Sequence, residues 1–94
     1  MQGNLEHVDE EATVEQAKKH GYRVFKFAFL GVRAAPDRVY GRNGDAVFIE
    51  HKRNGKEPTL QQLKRHDEMR RDFGFRVEWT DSYAGACAIL GIPE

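Results

Sequence analysis

The stretch Ala35–Lys52, APDRVYGRNGDAVFIEHK, decides how this chain folds. Two apolar runs, Arg38-Val39-Tyr40 and Ala46-Val47-Phe48-Ile49, flank the turn Gly41-Arg42-Asn43-Gly44-Asp45. Asn-Gly between hydrophobic runs is the strongest short hairpin signal, because a type I′ turn needs positive φ at both central residues. With Asn43 and Gly44 at the centre, Tyr40 faces Val47, Val39 faces Phe48 and Asp37 faces Glu50. Directly opposed residues share a face of the sheet, their Cβ atoms roughly 4.5–5.5 Å apart. Lys52, two residues beyond Glu50, projects from that same face.

Two carboxylates held so close repel each other, and like charges directly opposite destabilise a sheet. A divalent cation between them removes the penalty. Oxygen ligands from Asp37 and Glu50 suit Mg²⁺ or Mn²⁺, which keep several waters and leave room for a phosphate. Lys52 then supplies positive charge where a phosphoryl transition state becomes more negative, or orients the attacking water. The plainer reading is a solvated hairpin end whose carboxylates are neutralised by Arg38 and Lys52. The flanking sequence decides between the two.

Ninety-four residues make one domain, residues 1–94, near the lower limit of what folds alone. An apolar content of 39% permits one modest core. Fifteen basic residues balance fifteen acidic ones, so net charge does not advertise a nucleic-acid partner and any phosphate binding must come from local clusters. The basic residues do cluster, at 33–42, 52–56 and 64–71, while acidic residues gather near the N-terminus. The single Cys87 forbids an internal disulfide and fits a reducing compartment. No apolar run approaches membrane-spanning length, and nothing reads as a signal peptide or as a repeat.

Residues Met1–His7 read as a frayed end. Asp9 is the expected N-cap of a first helix, with Glu10 and Glu11 favourably placed in its first turn and Gly21 as its stop. Tyr22–Phe29 (YRVFKFAF) alternates and is rich in aromatics, which predicts a strand. Leu30–Ala34 forms a loop, and Pro36 opens the first hairpin strand, where a missing N–H is tolerated. A polar loop, Arg53–Pro58, precedes a second helix in which Thr59 and Gln62 form a capping box. Leu60, Leu63, His66, Met69 and Phe73 follow helical spacing along it, and Gly74 ends it. Phe75–Trp79 alternates as a strand with Phe75, Val77 and Trp79 on one face. Ser82 caps a last helix that Gly91 and Pro93 close.

The predicted order is α-β-β-β-α-β-α. A hairpin feeding a helix that crosses to a further strand implies a mixed four-stranded sheet flanked by helices, in the α/β (α+β) class. Ala46–Ile49 is uninterrupted apolar sequence, as expected of a central strand covered on both sides.

This order, with P-D and E-x-K in its middle, resembles the restriction-endonuclease-like core of the PD-(D/E)XK nucleases. More narrowly, the chain resembles a stand-alone VRR-NUC domain, the virus-type replication and repair nuclease module, from about Glu10 to Leu90. The resemblance rests on Glu10, Gly21, Lys26-Phe27, Arg33, Pro36-Asp37-Arg38, Glu50-His51-Lys52, Gly55-Lys56, Pro58-Thr59, Gln62, Gly74-Phe75 and Asp81-Ser82. Two departures stand out. Ala34-Ala35 replaces the usual Gly-Val before P-D, and His51 stands where the residue between Glu and Lys is usually apolar.

The resemblance implies a metal held by Asp37, Glu50 and the backbone carbonyl of His51, with Glu10 reaching in from the first helix and Lys52 as the catalytic cation. The side chain of His51 projects away from Glu50 and is not expected to be a ligand. Glu10 has an alternative role as a helix-start carboxylate, and Glu11 is its neighbour. Gln62 serves as a helix cap, a role compatible with a place beside the site. Lys26 faces either phosphate or solvent.

Competing chemistries find little support. His7, His20, His51 and His66 lack H-x-H or H-E-x-x-H spacing, so a zinc site is not expected. His66, on the apolar stripe of the second helix, reads as a core-edge histidine. Cys87 among small residues reads as packing. No Walker-type loop is present, and Trp79 and the phenylalanines fit a core.

The implied activity is a Mg²⁺- or Mn²⁺-dependent endodeoxyribonuclease. Its DNA contacts would come from Arg33, Arg38, Arg42, Lys56, Lys64 and Lys26, directed at phosphates and hence at DNA shape. A symmetric homodimer would place two sites on a four-way junction. The expectation is therefore a Holliday-junction-type resolvase of phage or prophage origin, acting on branched DNA in the bacterial cytoplasm and not at a membrane. The first-strand end Phe27-Ala28-Phe29-Leu30 and the last helix are the expected dimer surfaces. The alternatives are a catalytically silent DNA-binding or assembly module of the same fold, or a nuclease for flaps, nicks or ends.

Overall fold

In the computed structural model, which describes residues 5–28 and 33–94, the Asn-Gly turn forms as its chemistry requires. Asn43 has φ 53° and Gly44 φ 81°, the two left-handed conformations of a type I′ turn. The strands it joins, β2 (Arg38–Arg42) and β3 (Asp45–His51), pair antiparallel with Val39 opposite Phe48 and Tyr40 opposite Val47. This is the register expected from the turn.

Strand β1 (Arg23–Lys26) pairs antiparallel with β2, and β4 (Arg76–Thr80) pairs parallel with β3. The sheet order is β1-β2-β3-β4, so the apolar strand β3 lies inside the sheet. Helix α2 (Leu60–Phe73) makes the crossover that a parallel pair needs. Helix α1 (Leu5–Lys19) precedes the sheet, and α3 (Tyr83–Leu90) follows it. The predicted element order and mixed sheet are therefore present.

Alternation along the strands divides the core between two faces. Tyr40, Val47 and Ile49 pack with Ala17, Tyr22, Cys87, Leu90 and Ile92, beneath α1 and α3. Phe48 and Val77 pack with Met69 of α2 on the other face, with Phe27, Val39 and Phe75 half-buried around them. Each fully buried aliphatic or aromatic side chain contributes roughly 1.5–3 kcal/mol.

Several local expectations need correction. Helix α1 starts at Leu5, so Asp9 lies inside it and its carbonyl accepts from the Thr13 hydroxyl instead of capping. No Gly or Pro separates Leu5 from Asp9, and nothing forces a start at the later residue. β1 is confined to Arg23–Lys26, and β4 runs one residue beyond the expected strand, to Thr80. The expected loop residues Leu30–Val32, with Phe29 and Met1–Asn4, lie outside the described residues. The stripe on α2 is only partly covered: His66 and Met69 are buried, but Leu60 is 69% and Phe73 61% exposed. No helix among the described residues is long and apolar enough to cross a membrane.

Candidate active site

Glu50 occupies the penultimate position of β3, where the parallel pairing with β4 sets it opposite Trp79. It is 97% buried, at 3% relative exposure, and it lies on the α2 side of the sheet with Phe48. Asp37 immediately precedes β2. Its carbonyl accepts from the Phe27 N–H at 2.9 Å, and its carboxylate oxygen Oδ2 accepts from the His51 N–H at 2.8 Å. That second bond ties the Asp37 carboxylate to the residue after Glu50, so both acids lie at the same end of the hairpin.

Among the described residues, Lys52, Gln62 and His66 approach the Glu50 carboxylate. Lys52 Nζ is 3.8 Å from Oε2, and Gln62 Nε2 donates to the same oxygen at 3.3 Å. His66 Nε2 stands 3.5 Å from the other oxygen, Oε1. The backbone N–H of Lys52 donates to the Thr80 carbonyl at 2.8 Å, which fixes the lysine's origin against β4. Lys52 itself is half-buried, with its ammonium directed to the carboxylate.

Gln62 performs both tasks that its position allows. Its Oε1 accepts from the Thr59 N–H at 2.9 Å, while the Thr59 hydroxyl accepts from the Gln62 N–H at 3.1 Å, completing the capping box. The amide nitrogen left over by the cap is the group that reaches Glu50. Helix start and site are thereby joined through one side chain.

His51 projects to the opposite face, as alternation demands, but not into solvent. It is buried, and its Nε2 is hydrogen-bonded to the Tyr40 hydroxyl at 2.8 Å. Burial lowers the imidazole pKa to about 4, with Glu10 and Glu50 opposing the shift only in part, so the ring is neutral near pH 7. Burial likewise raises the Tyr40 hydroxyl well above its usual range.

Glu10 is ion-paired with Arg38, whose Nε donates to its carboxylate. Both side chains are largely buried on the α1 side of the sheet. Among the described residues no three His, Cys, Asp or Glu side chains converge as a metal-holding group. The oxygen donors gathered at the hairpin end are therefore two carboxylates and backbone carbonyl. That set fits Mg²⁺ or Mn²⁺, which are bound through one or two carboxylates with water and phosphate completing the shell. Glu50 Oε1 is buried and has no hydrogen-bond partner among the described residues.

The expected DNA contacts divide by environment. Lys26, Arg33, Lys56 and Lys64 are exposed, although the Arg33 carbonyl is engaged by Arg65. Arg42 is drawn inward: its guanidinium lies 4.3 Å from the Tyr22 ring centroid and donates to the His20 carbonyl at 2.9 Å. Arg38 is occupied by Glu10. The loop after Lys52 is pinned to the start of α3, with the Gly55 N–H donating to Asp81 Oδ2 at 3.0 Å.

His66 is the residue whose place the periodicity understates. It is fully buried against Glu50, not at a core edge. Its spacing of four from Gln62 is the available clue, since residues four apart on a helix share a face.

A solved VRR_NUC domain superposes on 95% of this chain and 97% of its own, with a TM-score of 0.83 at 23% identity. The chain has the VRR-NUC fold. The structure of Archaeoglobus fulgidus Hjc, a Holliday junction resolvase, matches less fully: 78% of this chain and 63% of that one, with a TM-score of 0.55 at 22% identity. In sequence, the chain is 38% identical over 58 residues to "Putative nuclease p44" of Acyrthosiphon pisum secondary endosymbiont phage 1. That match spans 61% of this chain and 62% of the phage protein. No family model matches.

Proposed function

We propose that this VRR-NUC-fold chain is a Mg²⁺- or Mn²⁺-dependent endodeoxyribonuclease that cuts branched DNA, as a homodimer on a four-way junction. The observation that carries the reading is that the end of the hairpin holds Asp37, bonded to the His51 N–H, alongside Glu50, whose carboxylate Lys52 approaches to 3.8 Å. The phage relative named as a nuclease and the resolvase of similar fold support the class of reaction and substrate. A phage or prophage source and action in the host cytoplasm accompany that reading.

Asp37 and Glu50, with the His51 carbonyl, would hold the ion. When bound, it would activate water and neutralise charge on the scissile phosphate. The chain's own contribution is placement and charge. The His51 N–H keeps the Asp37 carboxylate turned toward the end of β3. Lys52 brings a positive charge to the point where the phosphate gains negative charge in the transition state. Gln62 and Thr59 hold the start of α2 against Glu50. Exposed Lys26, Arg33, Lys56 and Lys64 supply phosphate contacts that read backbone geometry and not base identity.

Purified protein incubated with Mn²⁺ and an end-labelled four-way junction should produce paired nicks. Asp37→Ala and Lys52→Ala should each abolish nicking while leaving the mobility shift of the junction intact. Junction binding without cleavage across the full range of Mg²⁺ and Mn²⁺ concentrations would overturn the enzymatic reading.

A further inference from the structure

His66 is fully buried, and among the described residues neither of its ring nitrogens has a hydrogen-bond partner. An unpaired buried polar group costs roughly 1–3 kcal/mol. A leucine or methionine would pack the same space without that cost, as Met69 does on the same helix. Packing alone therefore does not account for an imidazole here.

The account lies across the gap. Glu50 Oε1, also buried and without a hydrogen-bond partner among the described residues, is 3.5 Å from His66 Nε2. A closure of roughly half an ångström would make this an ordinary N–H···O bond. The other oxygen, Oε2, is already engaged by Gln62 and Lys52. Gln62 and His66 are four residues apart on α2, so one helix face presents one donor to each oxygen of the carboxylate.

Resting on the metal-site reading above, we infer that His66 is a positioning residue for Glu50. Its Nε2–H fixes Oε1 and, with Gln62 on Oε2, holds the carboxylate in one orientation toward a bound Mg²⁺ or Mn²⁺. Hydrogen-bonded partners of metal-ligating carboxylates typically change metal affinity by about 10–100-fold when removed. Orientation acts on every cation that Glu50 binds. An imidazole entering the coordination shell would instead favour Mn²⁺ over Mg²⁺.

The test is metal binding by the full chain, with free Mn²⁺ followed by electron paramagnetic resonance and Mg²⁺ by competition. His66→Leu should weaken both ions by about 10–100-fold. His66→Gln, whose amide nitrogen can donate to the same oxygen, should recover most of the loss. On a four-way junction, His66→Leu should need more metal but approach the wild-type kcat once metal is saturating. Thermal unfolding reports whether the Leu variant is folded, and His66→Met makes the same comparison if it is not. Unchanged affinity in a folded apolar variant overturns the inference, as does a loss confined to Mn²⁺, which would make His66 a ligand. Glu50→Ala separates the two levels: if wild type binds neither ion, or Glu50→Ala binds both normally, the metal-site reading itself falls and this inference with it.

Discussion

Tyr40 and His51 form a 2.8 Å hydrogen bond inside the core, directly behind the strand position whose other face carries the carboxylates. The bond couples the central hairpin strands through side chains as well as backbone. The burial of His51 also sets a pH limit on the fold. An unfolded His51 takes up its proton near pH 6.5, whereas burial delays that in the folded chain to about pH 4. Between those values the unfolded state holds more protons, so stability rises with pH across the window and falls on acidification. Each pKa unit is worth about 1.4 kcal/mol, which bounds the loss at roughly 3 kcal/mol between pH 6.5 and 4. Urea unfolding of metal-free protein at stepped pH should show this slope. His51→Gln, which keeps a partner for Tyr40 but does not titrate, should flatten it.

The pairing of Arg38 with Glu10 separates two kinds of basic residue. Both partners are largely buried, and removing one leaves the other charged and uncompensated. Arg38→Ala should therefore lower stability, by up to the roughly 3–5 kcal/mol typical of a broken buried pair. Lys56→Ala and Lys64→Ala concern exposed side chains and should leave the melting temperature unchanged. If these lysines touch phosphate, each replacement should reduce the salt slope of DNA binding by about one. Parallel melting curves and binding isotherms at several salt concentrations check both halves.

What could be read from the sequence was what local chemistry decides. The Asn43-Gly44 turn and period-two alternation specify the β2–β3 register, and the register sets Asp37, just before β2, at the same end of the hairpin as Glu50. Thr59, Gln62, Ser82 and Gly91 mark helix ends through bonds made within a few residues. What remained hidden depends on partners far along the chain. Helical spacing groups Leu60, Leu63, His66, Met69 and Phe73, but the sheet covers only part of that stripe, and its limits select His66 and Met69 for burial. Glu10 and Arg38 are 28 residues apart, and no local pattern announces their bond. The same distance effect turns Arg42 toward Tyr22 and His20.

Thr59 offers a test of the link between helix start and site. Thr59→Ala removes the acceptor for the Gln62 N–H but leaves the backbone N–H that holds Gln62 Oε1. The expected cost is about 1 kcal/mol, that of a lost N-cap. Gln62→Ala removes the Thr59 N–H partner and the Glu50 contact together, and should weaken Mn²⁺ binding where Thr59→Ala does so less. Equal effects of the two replacements on metal affinity would show that the cap alone matters.

Gly85 sets two opposing effects against each other. It sits in the first turn of α3, where its N–H donates to the Ser82 hydroxyl at 2.9 Å. In a helix, alanine is favoured over glycine by about 1 kcal/mol, so propensity alone predicts that Gly85→Ala stabilises. A Cβ there, however, would lie 2.1 Å from Thr80 Oγ1 and 3.0 Å from Ser82 Oγ. Thr80 is a buried, β-branched residue in β4, and its hydroxyl also accepts from the Ser82 N–H at 3.3 Å, so it cannot swing aside freely. Overpacking of this kind costs typically 1–3 kcal/mol, and the loss of the cap geometry adds to it. The clash should outweigh the propensity gain. Gly85→Ala should therefore lower the urea midpoint, and pairing it with Thr80→Ala, which removes the obstructing hydroxyl, should recover part of that loss despite the second truncation.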